Sequence, residues 1–362
     1  ILYHRENSEI NHYNLYQKAR FFLQTIYSVR TVKEIRRLIS IHKPDIAHVH
    51  NVFPLISPSV YWALARHGIP IVQTVHNFRF MCPNGLFYTH GQVCEQCKMG
   101  NMLPAVIRQC YRDSRLLSGV YALSIGLHRK MGAFDKIDRF ITLNRFTAQK
   151  LVESGITQPS KIGYLPNFIS SETFFDEMPE HKCDAVFMGR LSAEKGVETL
   201  IESLEYLPDL RLHILGSGPL ESTLRNRSVR FNNRVIFEGF LEGEQKRSML
   251  RNALFMVIPS VCYEQFGMSA VESMAAGTAV IASNLGGLPE IVRDSENGLL
   301  FEAGNSRDLA EKMKKLAENP DLAVKMGRTG RKMAEQRYSS DVHAANLLSV
   351  YQNVISEKRI VQ

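Results

Sequence analysis

The sequence predicts an α/β protein of two domains, each built on a parallel sheet covered by helices on both faces. Three observations predict it. Short apolar runs alternate with amphipathic stretches along most of the chain, the pattern of parallel strands joined by helical crossovers. The chain has 362 residues, 44% of them hydrophobic, beyond the size at which one core stops growing. The rhythm also breaks once and restarts.

In the first half the strand-like runs are DIAHVH (45–50), PIVQTVH (70–76) and RFITLN (139–144). Residues 164–183, YLPNFISSETFFDEMPEHKC, carry prolines and polar residues without periodicity and mark the boundary. The rhythm resumes with DAVFMGR (184–190), LRLHILGSG (210–218), VIFEGF (235–240), FMVIPS (255–260) and AVIAS (279–283). Helical stretches such as GVETLIESLEYL and RDLAEKMKKLAENP lie between. The reading is a domain over 1–165 with a cysteine-containing insert at 82–130, and a second over 166–340. A final helix (341–362) follows, whose stripe of Val342, Ala345, Leu347, Leu348, Tyr351 and Val354 should pack back on the first.

Lys and Arg exceed Asp and Glu by eight, which favours an anionic partner without choosing among nucleotide, phospholipid and nucleic acid. The longest apolar run, LLSGVYALSIGL (116–127), falls short of the roughly 18 residues a membrane span needs. No basic segment leads into an apolar one near the first residue, so a cytoplasmic location with reduced cysteines is expected.

Three loops in the second half carry chemistry. MGRLSAEKG (188–196) follows a strand and opens a helix, where ligands collect in open parallel sheets. Gly189 and Gly196 permit close backbone approach there, and Arg190 and Lys195 suit a diphosphate; the plain alternative is a solvated loop with surface cations. LGSGPLE (215–221) has Gly216 and Gly218 but lacks the third glycine of a dinucleotide fingerprint, so a nicotinamide site is poorly supported. EQFGMSAVESMAAG places Glu264 in a loop and Glu272 inside a helix starting near Phe266 or Gly267. Eight helical residues rise about 12 Å, beyond the roughly 5 to 9.5 Å between paired glycosidase carboxylates. The two glutamates therefore suit different parts of one elongated ligand, such as a nucleotide sugar, with the N–H groups of Gly267, Met268 and Ser269 free for its oxygens. As plain alternatives, Glu272 lies on an exposed helix face and Glu264 complements a helix dipole.

GRLSAEKG, LGSGP, FEGF, PSVCYEQFGMSAVESMAAGTAVIAS and GGLPEIVRDSENGLLF together resemble the donor domain of GT-B glycosyltransferases, specifically the retaining family 4 group with its E-x7-E signature. The resemblance implies two Rossmann-like domains facing each other across a cleft, and transfer of a hexose from a UDP- or GDP-linked sugar to a saccharide or lipid-linked acceptor. It implies that Arg190 and Lys195 bind the diphosphate, Glu264 meets the sugar and Glu272 holds the ribose. Gly239, Phe240 and Leu241 would lie near the base, and Gly189, Gly216, Gly218 and Phe266 would also touch the donor. Retention through an oxocarbenium-like state would need no metal or cofactor. It also implies a first βα unit with a glycine-rich loop ahead of ILYHRENSEI, which looks like the second strand.

In the first half, HVH and a second strand-ending histidine, His76, match the same family, in which that histidine approaches the donor sugar. Asn77 stands where the family commonly has Asp. Cys82, Cys94, Cys97 and Cys110 form C-x11-C-x2-C-x12-C, open to two readings: a tetrahedral structural zinc site, or reduced buried thiols. Lys98, Arg108, Arg112, Arg115, Arg129 and Lys130, set among Leu103, Val106, Ile107, Tyr111, Leu116 and Tyr121, suit peripheral contact with the inner face of the plasma membrane. The rival functions are a sugar-nucleotide epimerase or phosphorylase of the same fold, and a basic zinc-containing nucleic-acid-binding protein. The last leaves both glutamates unexplained.

Overall fold

A computed structural model describes residues 1–6, 15–170, 173–174 and 183–361. The chain divides into two compact units: Ile1–Thr89 with Cys94–Leu165 and Asn346–Gln362, and Pro166–Ala345 with His90–Val93.

The first unit is built on four parallel strands, β1 (Ala47–Val49), β2 (Ile71–Val75), β5 (Arg139–Thr142) and β6 (Ile162–Tyr164), in the spatial order β1-β2-β5-β6. Every residue of β2, an inner strand of the parallel sheet, is buried, and its two polar side chains are bonded, Gln73 Oε1 accepting from Tyr61 Oη and Thr74 Oγ1 sharing a hydrogen bond with His48 Nε2. The helix Val29–His42 is capped by Ser28, whose side chain accepts from Thr31 N, and ends on Lys43 in the left-handed region, φ 45°. It buries Val32, Ile35 and Ile39.

Two short strands, β3 (Tyr88–Thr89) and β4 (Gln92–Val93), belong to the segment between β2 and β5. The helix Ser340–Val361 sets Leu347, Val350, Tyr351 and Val354 on Val72, Ile141 and Leu165. Arg139 pairs with Glu357 (2.7 Å) and Lys358 with Asp138 (2.7 Å) beside that contact. Leu348, expected in the packing stripe, faces solvent.

Ile1–Glu6 form no strand, contrary to the expectation for ILYHRENSEI. The rest of that segment lies outside the described residues, as does much of the expected boundary at 164–183.

The second unit carries six parallel strands: β7 (Cys183–Met188), β8 (Leu212–Leu215), β9 (Val235–Gly239), β10 (Ala253–Ile258), β11 (Ala279–Ser283) and β12 (Gly298–Phe301). Their spatial order is β12-β11-β10-β7-β8-β9. The chain lays β8 and β9 on one side of β7, then crosses to build β10, β11 and β12 on the other. The reversal opens a crevice beyond the C-terminal ends of β7 and β10, where ligands collect in such sheets.

Candidate functional site

The crevice of the second unit is walled by the loops after β7 and β10. Three glycines fix them backbone to backbone. Gly196 has φ 65°, and a Cβ there would lie 1.9 Å from the Pro259 carbonyl oxygen. A Cβ on Gly216 would meet Gly189 O at 2.0 Å, and one on Gly218 would meet Leu191 O at 2.4 Å. These glycines serve first to lock the loops after β7, β8 and β10 together, which their reading as openings for a ligand did not include. Hydrogen bonds close the lock: Leu191 N donates to Ser217 O (3.0 Å), Val261 N to Glu194 O (3.0 Å), and Gly216 N to Gly239 O (2.6 Å).

Across this crevice Lys195 Nζ donates to Glu264 Oε1 at 2.6 Å, and Ser260 Oγ donates to the same oxygen at 2.6 Å. The Lys195 and Glu264 side chains are only 30% and 14% exposed. Burial works to lower the Lys195 pKa, but the adjoining carboxylate outweighs it and holds the ammonium above its ordinary range. Lys195, expected as a free diphosphate cation, is thus paired with Glu264. Arg190 in the same loop is exposed and makes no ion pair among the described residues. Behind the loop the Cys262 thiol is buried and pushed up to about 12, chiefly by desolvation, so it is inert.

The helix Met268–Ala275 starts on Gly267, φ 70°, where a Cβ would lie 2.8 Å from Leu288 Cδ2. Ser269 follows in its first turn, with the N–H groups a helix start leaves free. Its small-residue face, Ala270, Ala275, Ala276 and Gly277, is buried, and what packs there is the helix Pro320–Tyr338. Gly327 of that helix has no room for a Cβ, which would lie 2.2 Å from Gly277 O.

Glu272 pairs with Lys246 of the helix Gly243–Asn252 (3.1 Å). Phe266, expected at the donor, is instead 4% exposed, its ring edge-on to Tyr338 at 5.6 Å. Gly239 ends β9, and Phe240 after it is 72% exposed, with Leu241 next in the chain. Glu238 is held by His213 Nδ1 at 2.7 Å.

Sequence reasoning missed Ser260, Lys246 and Gly286. A Cβ on Gly286 would stand 2.9 Å from Glu264 N, and Gly287 N donates to Glu264 O at 2.9 Å, so this pair seats the Glu264 backbone. The GG dipeptide was the available signal.

In the first unit a cavity of about 160 Å³ lies past the C-terminal ends of β1 and β2, lined by His50, Asn51, Gln73, His76, Asn77 and Arg79 among others. His50 Nδ1 and His76 Nε2 share a hydrogen bond of 2.8 Å. Desolvation, then His50, lowers His76 to about 4, and burial lowers His50 as well. His48 bridges Tyr351 Oη (2.6 Å) and Thr74 Oγ1 (2.7 Å). Asn77 does not orient His76: its Nδ2 donates to Asn51 Oδ1 (2.9 Å) and its Oδ1 accepts from Arg79 N (3.1 Å). The Arg79 guanidinium lies over the Tyr121 and Tyr111 rings at 5.1 and 5.4 Å. Its Nη1 is buried without a hydrogen-bond partner.

The basic segment divides on folding. Lys98 pairs with Glu95 and Glu153, Arg129 donates to the carbonyls of Lys98 and Ser154, and Tyr121 is buried. Leu103, Ile107 and Leu116 are exposed, with Leu123 and Met131 beyond the expected set. The four cysteines line one small cavity, although among the described residues no three His, Cys, Asp or Glu side chains stand ready to hold a metal ion.

Comparison with solved structures defines the class. Sucrose-phosphate synthase of Thermosynechococcus elongatus matches with a TM-score of 0.69 at 19% identity, over 94% of this chain and 80% of that one. Anabaena HepE in complex with UDP matches with a TM-score of 0.69 at 16% identity, over 89% and 82%. At such identities the likeness establishes the fold, which is GT-B.

The family follows from the sequence. Residues 171–333 match Glycosyl transferases group 1 and residues 4–173 match Glycosyltransferase Family 4, and the chain belongs to these glycosyltransferases. An uncharacterized glycosyltransferase of Methanocaldococcus jannaschii is 30% identical over 218 residues, 60% of this chain and 60% of its own length. A phosphatidyl-myo-inositol mannosyltransferase of Mycobacterium leprae is 33% identical over 182 residues, 49% of this chain and 48% of its own. Each match spans less than two thirds of the relative.

Proposed function

We propose that the chain transfers a hexose, with retention, from a nucleotide-diphosphate sugar to a saccharide or lipid-linked acceptor, without a metal in the transfer step. The observation that carries this reading is the Lys195–Glu264–Ser260 cluster in the crevice beyond β7 and β10, with exposed Arg190, which has no ion pair among the described residues, in the same loop.

An arriving diphosphate meets Arg190 first and then competes with Glu264 for Lys195. As the bond to the anomeric carbon breaks, charge grows on the departing phosphate. Two fixed cations and the start of the helix Met268–Ala275 stabilise it in a partly desolvated site. Glu264, released in part from Lys195, takes the sugar hydroxyls, and Glu272 takes the ribose. Gly239, Phe240 and Leu241 border the base, and His76 of the first unit, lowered to about 4, is left a neutral hydrogen-bonding group at the end of β2. HepE was solved with UDP, which favours testing UDP before GDP.

The mycobacterial relative is named for a lipid acceptor. Exposed Leu103, Ile107 and Leu116 near Arg112 and Arg115 fit the surface of an anionic membrane, and no helix among the described residues is long and apolar enough to cross one. Cosedimentation with vesicles containing phosphatidylglycerol should fall when Ile107 and Leu116 are changed to Ser.

Thermal shift with UDP, GDP and their sugar conjugates tests the donor site. A ligand at about 100 times its Kd adds about 2.7 kcal/mol, and the shift should shrink in Glu272→Ala. If neither nucleotide moves the melting temperature, the reading is wrong. NMR of the product anomer tests retention, and transfer undiminished by EDTA tests metal independence.

A further inference from the structure

The segment between β2 and the helix Arg115–Lys130 has little regular structure: two strands of two residues and one helix of five. Phe78, Phe80, Met81 and Phe87 are buried in its first part, and Cys97, Met102 and Ala105 pack with Ala122 and Ile125 of the helix. Phe87, His90, Gln109, Arg112 and Asp113 all hold φ between 50° and 53°, backbone that non-glycine residues keep only where their surroundings over-determine it.

Four sulfurs converge there. Cys82, Cys94, Cys97 and Cys110 line one cavity of about 10 Å³, room for about one small occupant. They arrive from three places: the turn after β2, the loop after β4, and the chain beyond the helix Leu103–Ile107. Arg108 Nη1 lies 4.0 Å from Cys94 Sγ, a cation beside the sulfurs. The cavity lining contains no carboxylate.

We propose that these four cysteines form a structural zinc site. On binding, four S–H bonds break, four Zn–S bonds of about 2.3 Å form, and four protons pass to solvent with no change of oxidation state. The resulting charge of about −2 on the centre is offset in part by Arg108. Among the described residues the thiols are not a ready-made ligand set; zinc binding would draw the four sulfurs together around the ion. With four protein ligands the zinc has no open position, so it staples the segment and takes no part in transfer. The proposal is independent of the donor site.

The test uses the full chain, expressed with added zinc and purified under reducing conditions without chelator or polyhistidine tag. Elemental analysis should find about one zinc per chain, and Cys82→Ser, Cys94→Ser, Cys97→Ser and Cys110→Ser should each lose most of it. Cys262→Ser, outside the cavity, should keep it. A chelator should lower the melting temperature of the wild type, and zinc should restore it. Should the variants fail to fold, Co(II) replacing zinc in the wild type should give the visible bands of a tetrahedral tetrathiolate centre. The proposal is overturned by wild-type protein that takes up no zinc or Co(II) on reconstitution, by disulfides among the four cysteines, or by iron in place of zinc.

Discussion

The two units treat ionisable groups in opposite ways at the ends of their parallel strands. Beyond β7 and β10 charges are kept and matched: Lys195 with Glu264, Lys246 with Glu272. Beyond β1 and β2 charge is disfavoured, with His50 lowered by burial and His76 by burial and then by His50, while Arg79 has a buried Nη1 without a hydrogen-bond partner among the described residues. A site that must receive and release a dianion benefits from cations already stabilised by a movable partner. A site that must present a histidine as a neutral hydrogen-bonding group benefits from desolvation.

The sharpest way to break this contrast is at Lys195. Lys195→Ala and Glu264→Gln should each lower the rate of nucleotide release about 100- to 1000-fold, the scale for a preorganised charge-stabilising group, with melting temperatures little changed. Activity near wild type in Lys195→Ala would make the ion pair structural.

Next in size is the loop lock. Gly196→Ala combines a left-handed φ with a 1.9 Å clash against backbone, and about 3 kcal/mol of strain should lower the melting temperature by about 6–12 °C. Gly239→Ala, at φ 73° but with nothing within 4 Å of its Cβ, should cost only about 1–2 kcal/mol. Equal losses from the two would show that close backbone packing does not govern the site.

Glu272→Ala should raise the donor KM about tenfold with kcat nearly unchanged, a loss of about 1.4 kcal/mol of binding. Combined with Lys246→Ala the losses should be less than additive; strict additivity would separate the pair.

The smallest effect is one of pH. His76 has its folded pKa lowered to about 4 from an ordinary 6.5, so between those values the unfolded chain binds more protons than the folded one. Its contribution is therefore full above pH about 6.5 and declines as pH falls toward about 4. The melting temperature of the wild type should drop over that window more steeply than that of His76→Gln. Parallel profiles would place the titration elsewhere.

Five of the six strands of the second unit could be read from sequence because each is a mostly apolar run with a turn residue near its end. Of the strands absent from that reading, β6 has only three residues, and β12 (Gly298–Phe301) ends a loop with no helical period before it. At the site, spacing placed Glu264 in a loop and Glu272 on a helix, because that is local information. It could not pair Lys195 with Glu264 across 69 positions, or bring Lys246 to Glu272 across 26, since a side-chain partner is chosen by sheet order and loop closure. Phe266 shows the converse failure: its place beside the helix start suggested a ligand contact, but its ring turned inward to Tyr338.

The glycine lock also bears on how such a protein can change over generations. Where one carbonyl sits in the space another residue's Cβ would need, as Pro259 does against Gly196, a single substitution spoils two loops at once, and no neighbouring change of side chain can rescue it. Selection is left with the rim. Phe240 and Met268 stand exposed at the ends of β9 and the glutamate helix, free to vary without disturbing the frame. New donor preferences should therefore arise, in nature or in a directed library, at those two positions before any of the glycines yields.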